Sequence, residues 1–165
     1  MSSIDFRFDY MRSFVVDRVT GRPILDPGTG APLERYDPYI PCVISSRSGK
    51  KRKIDGLLDS GSDATVIPRR IADYLELELQ PARSRMMVAD GVRSERYVSK
   101  ASLIIGRGGR FSDPIQIEVT VPAEGDPPVL IGRDPVFRHY AITFIEAEKR
   151  LEMKGYLEKS SQILS

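Results

Sequence analysis

The chain has 165 residues, 41% of them hydrophobic and 29% charged, with 25 basic residues against 23 acidic ones and a net charge of +2. That is the size and composition of one globular domain with a real core, and it argues against a disordered segment or a nucleic-acid partner. Cys42 is the one cysteine, so no disulfide forms within the chain, and with a single histidine, His139, neither a zinc site nor any other cofactor is expected.

The opening Met1 to Arg7 lacks the basic-then-apolar run of a signal peptide, and no apolar stretch nears the roughly 20 residues of a membrane span. A soluble, cytoplasmic protein with no membrane partner is the expectation. Twelve prolines and thirteen glycines cut the chain into short pieces rich in Val, Ile, Tyr and Phe, the pattern of a mainly β domain. Phe6 to Val19 contains a β-prone stretch. Thr20-Gly21-Arg22-Pro23 and Asp26-Pro27-Gly28-Thr29-Gly30 follow as turns. Residues 1–37 therefore read as an N-terminal extension or arm, 38–155 as the body and 156–165 as a C-terminal tail. No internal repeat is evident.

In the body, Tyr39 to Ile44 and Lys51 to Leu58 read as a strand pair, with the basic run Lys50 to Lys53 as a solvated hairpin shoulder. Pro68 to Leu75 reads as a short helix: Pro68 suits a first helical turn, and Ile71 and Leu75 share a face. Arg83 to Val88 and Val92 to Tyr97 form a central hairpin around Ala89-Asp90-Gly91, an Asp-Gly turn signal. Strands follow at Ala101 to Ile105, Ile115 to Val121 and Tyr140 to Ile145, the last paired with Leu151 to Lys154.

The chemistry centres on Leu57-Leu58-Asp59-Ser60-Gly61-Ser62-Asp63-Ala64-Thr65-Val66-Ile67. An apolar strand delivers a carboxylate onto a tight turn, and a second apolar run follows. A carboxylate at the end of an apolar strand is costly unless satisfied or functional. The Gly61 amide is placed to orient it, and the Ser60 hydroxyl to bond neighbouring backbone. Asp26-Pro27-Gly28 is not a second such turn, because proline replaces the hydroxyl residue and no apolar strand follows.

Asp59-Ser60-Gly61, together with the late Val129-Leu130-Ile131-Gly132-Arg133-Asp134, resembles the signatures of retropepsin-like aspartic proteases, and is closest to the bacterial single-domain members. The resemblance covers about residues 38–155. It implies a closed, β-barrel-like acid protease fold, with one short helix after the catalytic turn and one near Gly132-Arg133-Asp134. It further implies an aspartic endopeptidase acting on a peptide or protein substrate. Asp59, Ser60 and Gly61 would be catalytic, and Arg133 would pair with Asp63 to brace the site. A flap of Met87, Val88, Ala89, Asp90 and Gly91 would close over the substrate. Only one Asp-Ser-Gly is present, so the resemblance implies a homodimer, joined through Leu151 to Lys154 or through the N-terminal arm. A catalytically silent dimerisation or peptide-binding module is the alternative, and an unrelated β-rich binding domain the third reading.

Overall fold

The computed structural model describes residues 4–82, 86–87 and 93–156. Its strands are β1 (Phe6–Asp9), β2 (Met11–Phe14), β3 (Glu34–Asp37), β4 (Tyr39–Ser45), β5 (Lys51–Leu58) and β6 (Thr65–Val66), followed by helix α1 (Arg69–Tyr74). Then come β7 (Gln80–Pro81), β8 (Met86–Met87), β9 (Arg93–Ser94), β10 (Arg96–Arg107), β11 (Arg110–Phe111), β12 (Ile115–Pro122) and β13 (Leu130–Ile131). Helix α2 (Val136–His139), β14 (Tyr140–Ile145) and β15 (Arg150–Gly155) complete the order.

Six strands run round a ring in the order β10-β12-β6-β13-β5-β4, and β4 closes it by pairing back onto β10 through Cys42↔Ile105 to Ser45↔Ser102. The closed barrel and both expected short helices are therefore present. Alternation along the strands explains it: Ile40, Cys42 and Ile44 on β4 face inward, as do Ile115, Ile117, Val119 and Val121 on β12. Each such fully buried aliphatic side chain contributes roughly 1.5–3 kcal/mol of burial free energy. Helix α1 lies against β12 and buries Ile71 and Ala72, with Leu75 just beyond its end. The strand expected at Ala101 to Ile105 is longer, and β10 takes in Tyr97 as well.

A three-stranded antiparallel sheet, β1-β15-β14, packs beside the barrel, and here the expected organisation changes in two ways. Phe6 and Phe8 are buried with their rings stacked at 5.5 Å, and Tyr10 is buried beside them. The first described residues thus belong to the body, and the arm proper is residues 11–37. Met153 on β15 is paired with Phe6 on one side and with Ile142 on the other. Both edges of Leu151 to Met153 are paired within the chain, and Lys154 pairs with Ala141 on one side.

The arm also corrects the expectation that the chain lacks an internal repeat. Val16-Asp17-Arg18-Val19-Thr20-Gly21-Arg22-Pro23-Ile24 is followed directly by Leu25-Asp26-Pro27-Gly28-Thr29-Gly30-Ala31-Pro32-Leu33, with Asp, Thr, Gly and Pro in register. The two nonapeptides fold alike. Asp17 Oδ1 accepts from the Val19 and Thr20 amides at 3.0 and 2.6 Å, and Asp26 Oδ1 accepts from the Gly28 and Thr29 amides at 2.8 and 3.0 Å. Gly21 and Gly30 both take positive φ, +68° and +69°. The bridges Val16↔Pro23 and Leu25↔Pro32 close the turns. These amide bonds hold the Asp17 and Asp26 carboxyls below the usual range.

Candidate active site

Strand β5 ends in Leu57 and Leu58 and carries the chain to Asp59. Two-residue β13 is wedged between the strands on either side of the Asp59 turn. It runs parallel to β5, through Leu130↔Leu57 and Ile131↔Leu58, and antiparallel to β6, through Leu130↔Val66. The Asp59 amide donates to Ile131 O at 3.0 Å, and the Leu58 amide to Pro38 O at 3.0 Å. The base of the turn is thereby tied to β13 and to the residue that leads into β4 before any side chain acts.

Within the turn, the Gly61 amide donates to Asp59 Oδ1 at 2.9 Å and the Ser62 amide to Asp59 O at 3.2 Å. The carboxylate is half-buried and held in one orientation by a backbone donor. Ser60 and Gly61 are exposed. Among the described residues, the hydroxyl that reaches a backbone carbonyl of this turn is that of Ser62, whose Oγ donates to Ala64 O at 2.8 Å. Ser62 and Pro38 were not singled out from the sequence. A serine two residues before the carbonyl it bonds is a local signal for the first. The contact of Pro38 depends on strand pairing and has no local signal.

Gly132, Arg133 and Asp134 form a clamp under the turn. The Arg133 amide donates to Ser62 O at 2.8 Å and the Asp134 amide to Asp63 O at 3.0 Å. Gly132 is buried so close to the loop that a Cβ there would lie 2.3 Å from Ala64 O. The Arg133 guanidinium pairs with the Asp63 carboxylate on the exposed side. The structure therefore brings together Asp59, Ser60, Gly61, Asp63, Gly132, Arg133 and Asp134, the Asp63–Arg133 pair spanning 70 positions of the chain.

The central hairpin is present as β8 paired with β9, through Met86↔Ser94 and Met87↔Arg93. Val88, Ala89, Asp90 and Gly91 lie outside the described residues. Cys42 is buried in β4, and burial pushes its thiol well above the ordinary range, so it is held as the poorly nucleophilic thiol. His139 is exposed at the end of α2.

Chemically, the turn presents one oriented carboxylate. Asp63, the next acidic residue after it in the chain, is engaged by Arg133. A lone carboxylate can take a proton from water, but it cannot also donate one to a developing oxyanion in the same step. General acid–base hydrolysis at this turn therefore needs a second group able to donate a proton.

The sequence profile of the family described as "Aspartyl protease" matches residues 43–134, which include both the Asp59 turn and the Gly132 clamp. No curated protein matches. Among solved structures, the chain is similar to the protease of EIAV in complex with the inhibitor HBY-793, at 19% identity and a TM-score of 0.44, covering 62% of this chain and 86% of that one. It is also similar to the retroviral protease-like domain of Ddi1 from Leishmania major, at 16% identity and a TM-score of 0.43, covering 75% and 97%. A retropepsin-like aspartic protease from Rickettsia conorii aligns at 13% identity and a TM-score of 0.48, covering 93% and 94%.

Proposed function

The chain belongs to the aspartyl protease family, and from that premise we propose that it is an endopeptidase working as a homodimer, with one Asp59 from each copy. The observation that carries the proposal is the single Asp59 turn, its carboxylate oriented by the Gly61 amide and its base tied to Ile131. Two such carboxylates facing each other cannot both ionise easily, so they share a proton, as is general for aspartic proteases, and the titration belongs to the pair.

The ionised Asp59 takes a proton from a bound water as the water oxygen bonds to the peptide carbonyl carbon. The protonated Asp59 of the other copy hydrogen-bonds the oxygen on which charge develops. Collapse of the tetrahedral intermediate, with protonation of the amide nitrogen, breaks the C–N bond and returns the shared proton. The Gly61 amide keeps the carboxylate in place, and the Gly132 clamp keeps the turn in place. The β8–β9 hairpin is the candidate flap, closing over the peptide and excluding water.

The test is cleavage of a proteome-derived peptide library, from acid to neutral pH, by the native chain and by Asp59→Asn. The expected result is cleavage by the native chain alone, with the two proteins melting at similar temperatures. Equal cleavage by both would remove Asp59 from the mechanism.

A further inference from the structure

Away from the Asp59 turn, cations are gathered into a cleft. It has a volume of about 730 Å³ and lies between the β1–β15 pair and the turn joining β10 to β11. Asp5, Arg7, Glu152 and Lys154 line it from the sheet, and Arg107 and Arg110 from the turn. A smaller cleft of about 250 Å³ adjoins it, lined in part by Lys53, Asp55 and Phe111 and sharing Arg107. Among the described residues, the lining of neither cleft includes any part of the Asp59 turn or of the Gly132 clamp.

The charges are arranged by the backbone. Gly106 lets the β10–β11 turn close, because a Cβ there would lie 2.0 Å from Arg110 O, and Gly108 and Gly109 at the tip take positive φ, +62° and +84°. The turn sets Arg107 directly opposite Arg110. Like charges in that register repel, so the pair is held at a cost that an anion between them would remove. Arg110 donates to Asp5 O through Nε at 3.2 Å and Nη2 at 2.5 Å, which fastens the turn to the start of β1. Asp5 in turn accepts from the Gly155 amide at 3.0 Å, and Glu152 pairs with Arg7 and Arg150 at 3.0 and 2.9 Å. Both acids of the larger cleft are therefore committed. Among the described residues, Lys53, Arg107 and Lys154 have no ion pair. Across the two clefts five cations face three carboxylates, an excess equal to the net charge of the whole chain. The remaining surface is neutral in sum, so attraction for an anion is focused here.

We infer that this double cleft binds an extended acidic peptide segment, and that it selects protein substrates from outside the Asp59 turn; the second part rests on the protease reading. Three observations favour an acidic peptide over other anions. The cations are interspersed with Asp5, Asp55 and Glu152, which would repel an unbroken run of phosphates but leave room for spaced side-chain carboxylates. Phe111, 39% exposed, offers an apolar contact in the smaller cleft for side chains between the acids. Strand β1 is the outer strand of its sheet among the described residues, so an extended segment in the cleft also finds main-chain partners. The position suits the role. Asp55 lies on β5 four residues before Asp59, about 13 Å at strand rise, so a few extended residues link a bound segment to the Asp59 turn.

Fluorescence anisotropy of a rhodamine-labelled decapeptide of alternating Glu and Leu, titrated with full-length Asp59→Asn, tests the site without cleaving the probe. The expected result is saturable binding that weakens as salt is raised from about 50 to 200 mM. Adding Arg107→Glu and Lys154→Glu should raise the dissociation constant roughly 10-fold or more. Both side chains are exposed and outside any ion pair among the described residues, so the melting temperature should hold. A second measurement follows cleavage by the native chain of one peptide with and without an appended Glu-Leu stretch. The stretch should lower KM roughly 10-fold with kcat unchanged, and the double charge reversal should erase that advantage.

Probe binding that survives the double reversal, or equal binding of a Gln-Leu decapeptide, overturns the cleft as the site. Tighter binding of inorganic polyphosphate, or of phosphatidylserine vesicles, overturns the peptide as its occupant. Charge-dependent probe binding with no change in KM supports the cleft and overturns its part in substrate selection. A native chain that binds the probe through Arg107 and Lys154 yet cleaves neither peptide supports the acidic-peptide site and overturns the protease reading.

Discussion

Replacing Gly132 with alanine tests whether the clamp holds the Asp59 turn. A Cβ at this position would lie 2.3 Å from Ala64 O, 2.6 Å from Ala64 C and 2.8 Å from Ala64 N. All three atoms are backbone, so no side chain can swing aside. Either β13 withdraws from β6, or the 62–64 loop moves outward, and both responses stretch the bonds from the Arg133 amide to Ser62 O and from the Asp134 amide to Asp63 O. Overpacking of this kind costs about 1–3 kcal/mol and each weakened hydrogen bond about 1 kcal/mol, for a loss of about 3–5 kcal/mol. Against a typical total of about 5–15 kcal/mol that is a large change, readable by urea unfolding followed by circular dichroism. Gly61→Ala is the control. Its Cβ would sit 3.2 Å from Asp59 Oδ1, a side-chain atom, so stability should fall by less than about 1 kcal/mol while the carboxylate shifts. If Gly132→Ala unfolds within about 1 kcal/mol of the native chain, the clamp is not the brace described here.

Three further outcomes are expected. Arg133→Met removes an exposed pair with Asp63 and should cost the single chain under about 1 kcal/mol, with a loss above about 2 kcal/mol counting against the assignment. Thr65 is fully buried with its hydroxyl unpartnered, so Thr65→Val should raise stability by about 1 kcal/mol, and an equal fall in a denaturant titration would contradict that. Burial, with the hydrogen bond to Glu146, pushes Tyr10 up from 10.0 to about 12. The folded state therefore favours the protonated phenol, and this stabilisation is complete below pH 10.0 and lost as pH rises through about 12. Tyr10→Phe should flatten that alkaline limb, and a limb of unchanged slope would discount the tyrosine.

Legibility in the sequence followed the range of the interactions. The Asp59 turn, the Pro68-led helix and the β14–β15 hairpin are set by residues adjacent in sequence, and local turn chemistry and periodicity expose them. The wedge of β13 is two residues long and takes its place from partners about 70 positions away, so no local pattern announces it. Phe6-Arg7-Phe8 carries a clear alternation, yet its burial depends on Met153 and Tyr140, which lie at the far end of the chain. The arm's repeat was hidden differently. Its matching residues are Asp, Thr, Gly and Pro, which any turn favours, so two copies of one design read as generic loop chemistry. The catalytic reading itself came from two short motifs, and the clamp gives their separation a physical meaning.

The wedge also constrains the order in which the protein comes into being. A ribosome makes Asp59 long before Leu130 to Asp134, and until those residues emerge the β5–β6 loop has neither its central strand nor its clamp. At translation speeds of about 5–20 residues per second, the nascent chain carries an unbraced carboxylate for roughly 4–14 s. The candidate site is thus among the last features to be assembled, and a partly made chain carries no braced Asp59 turn.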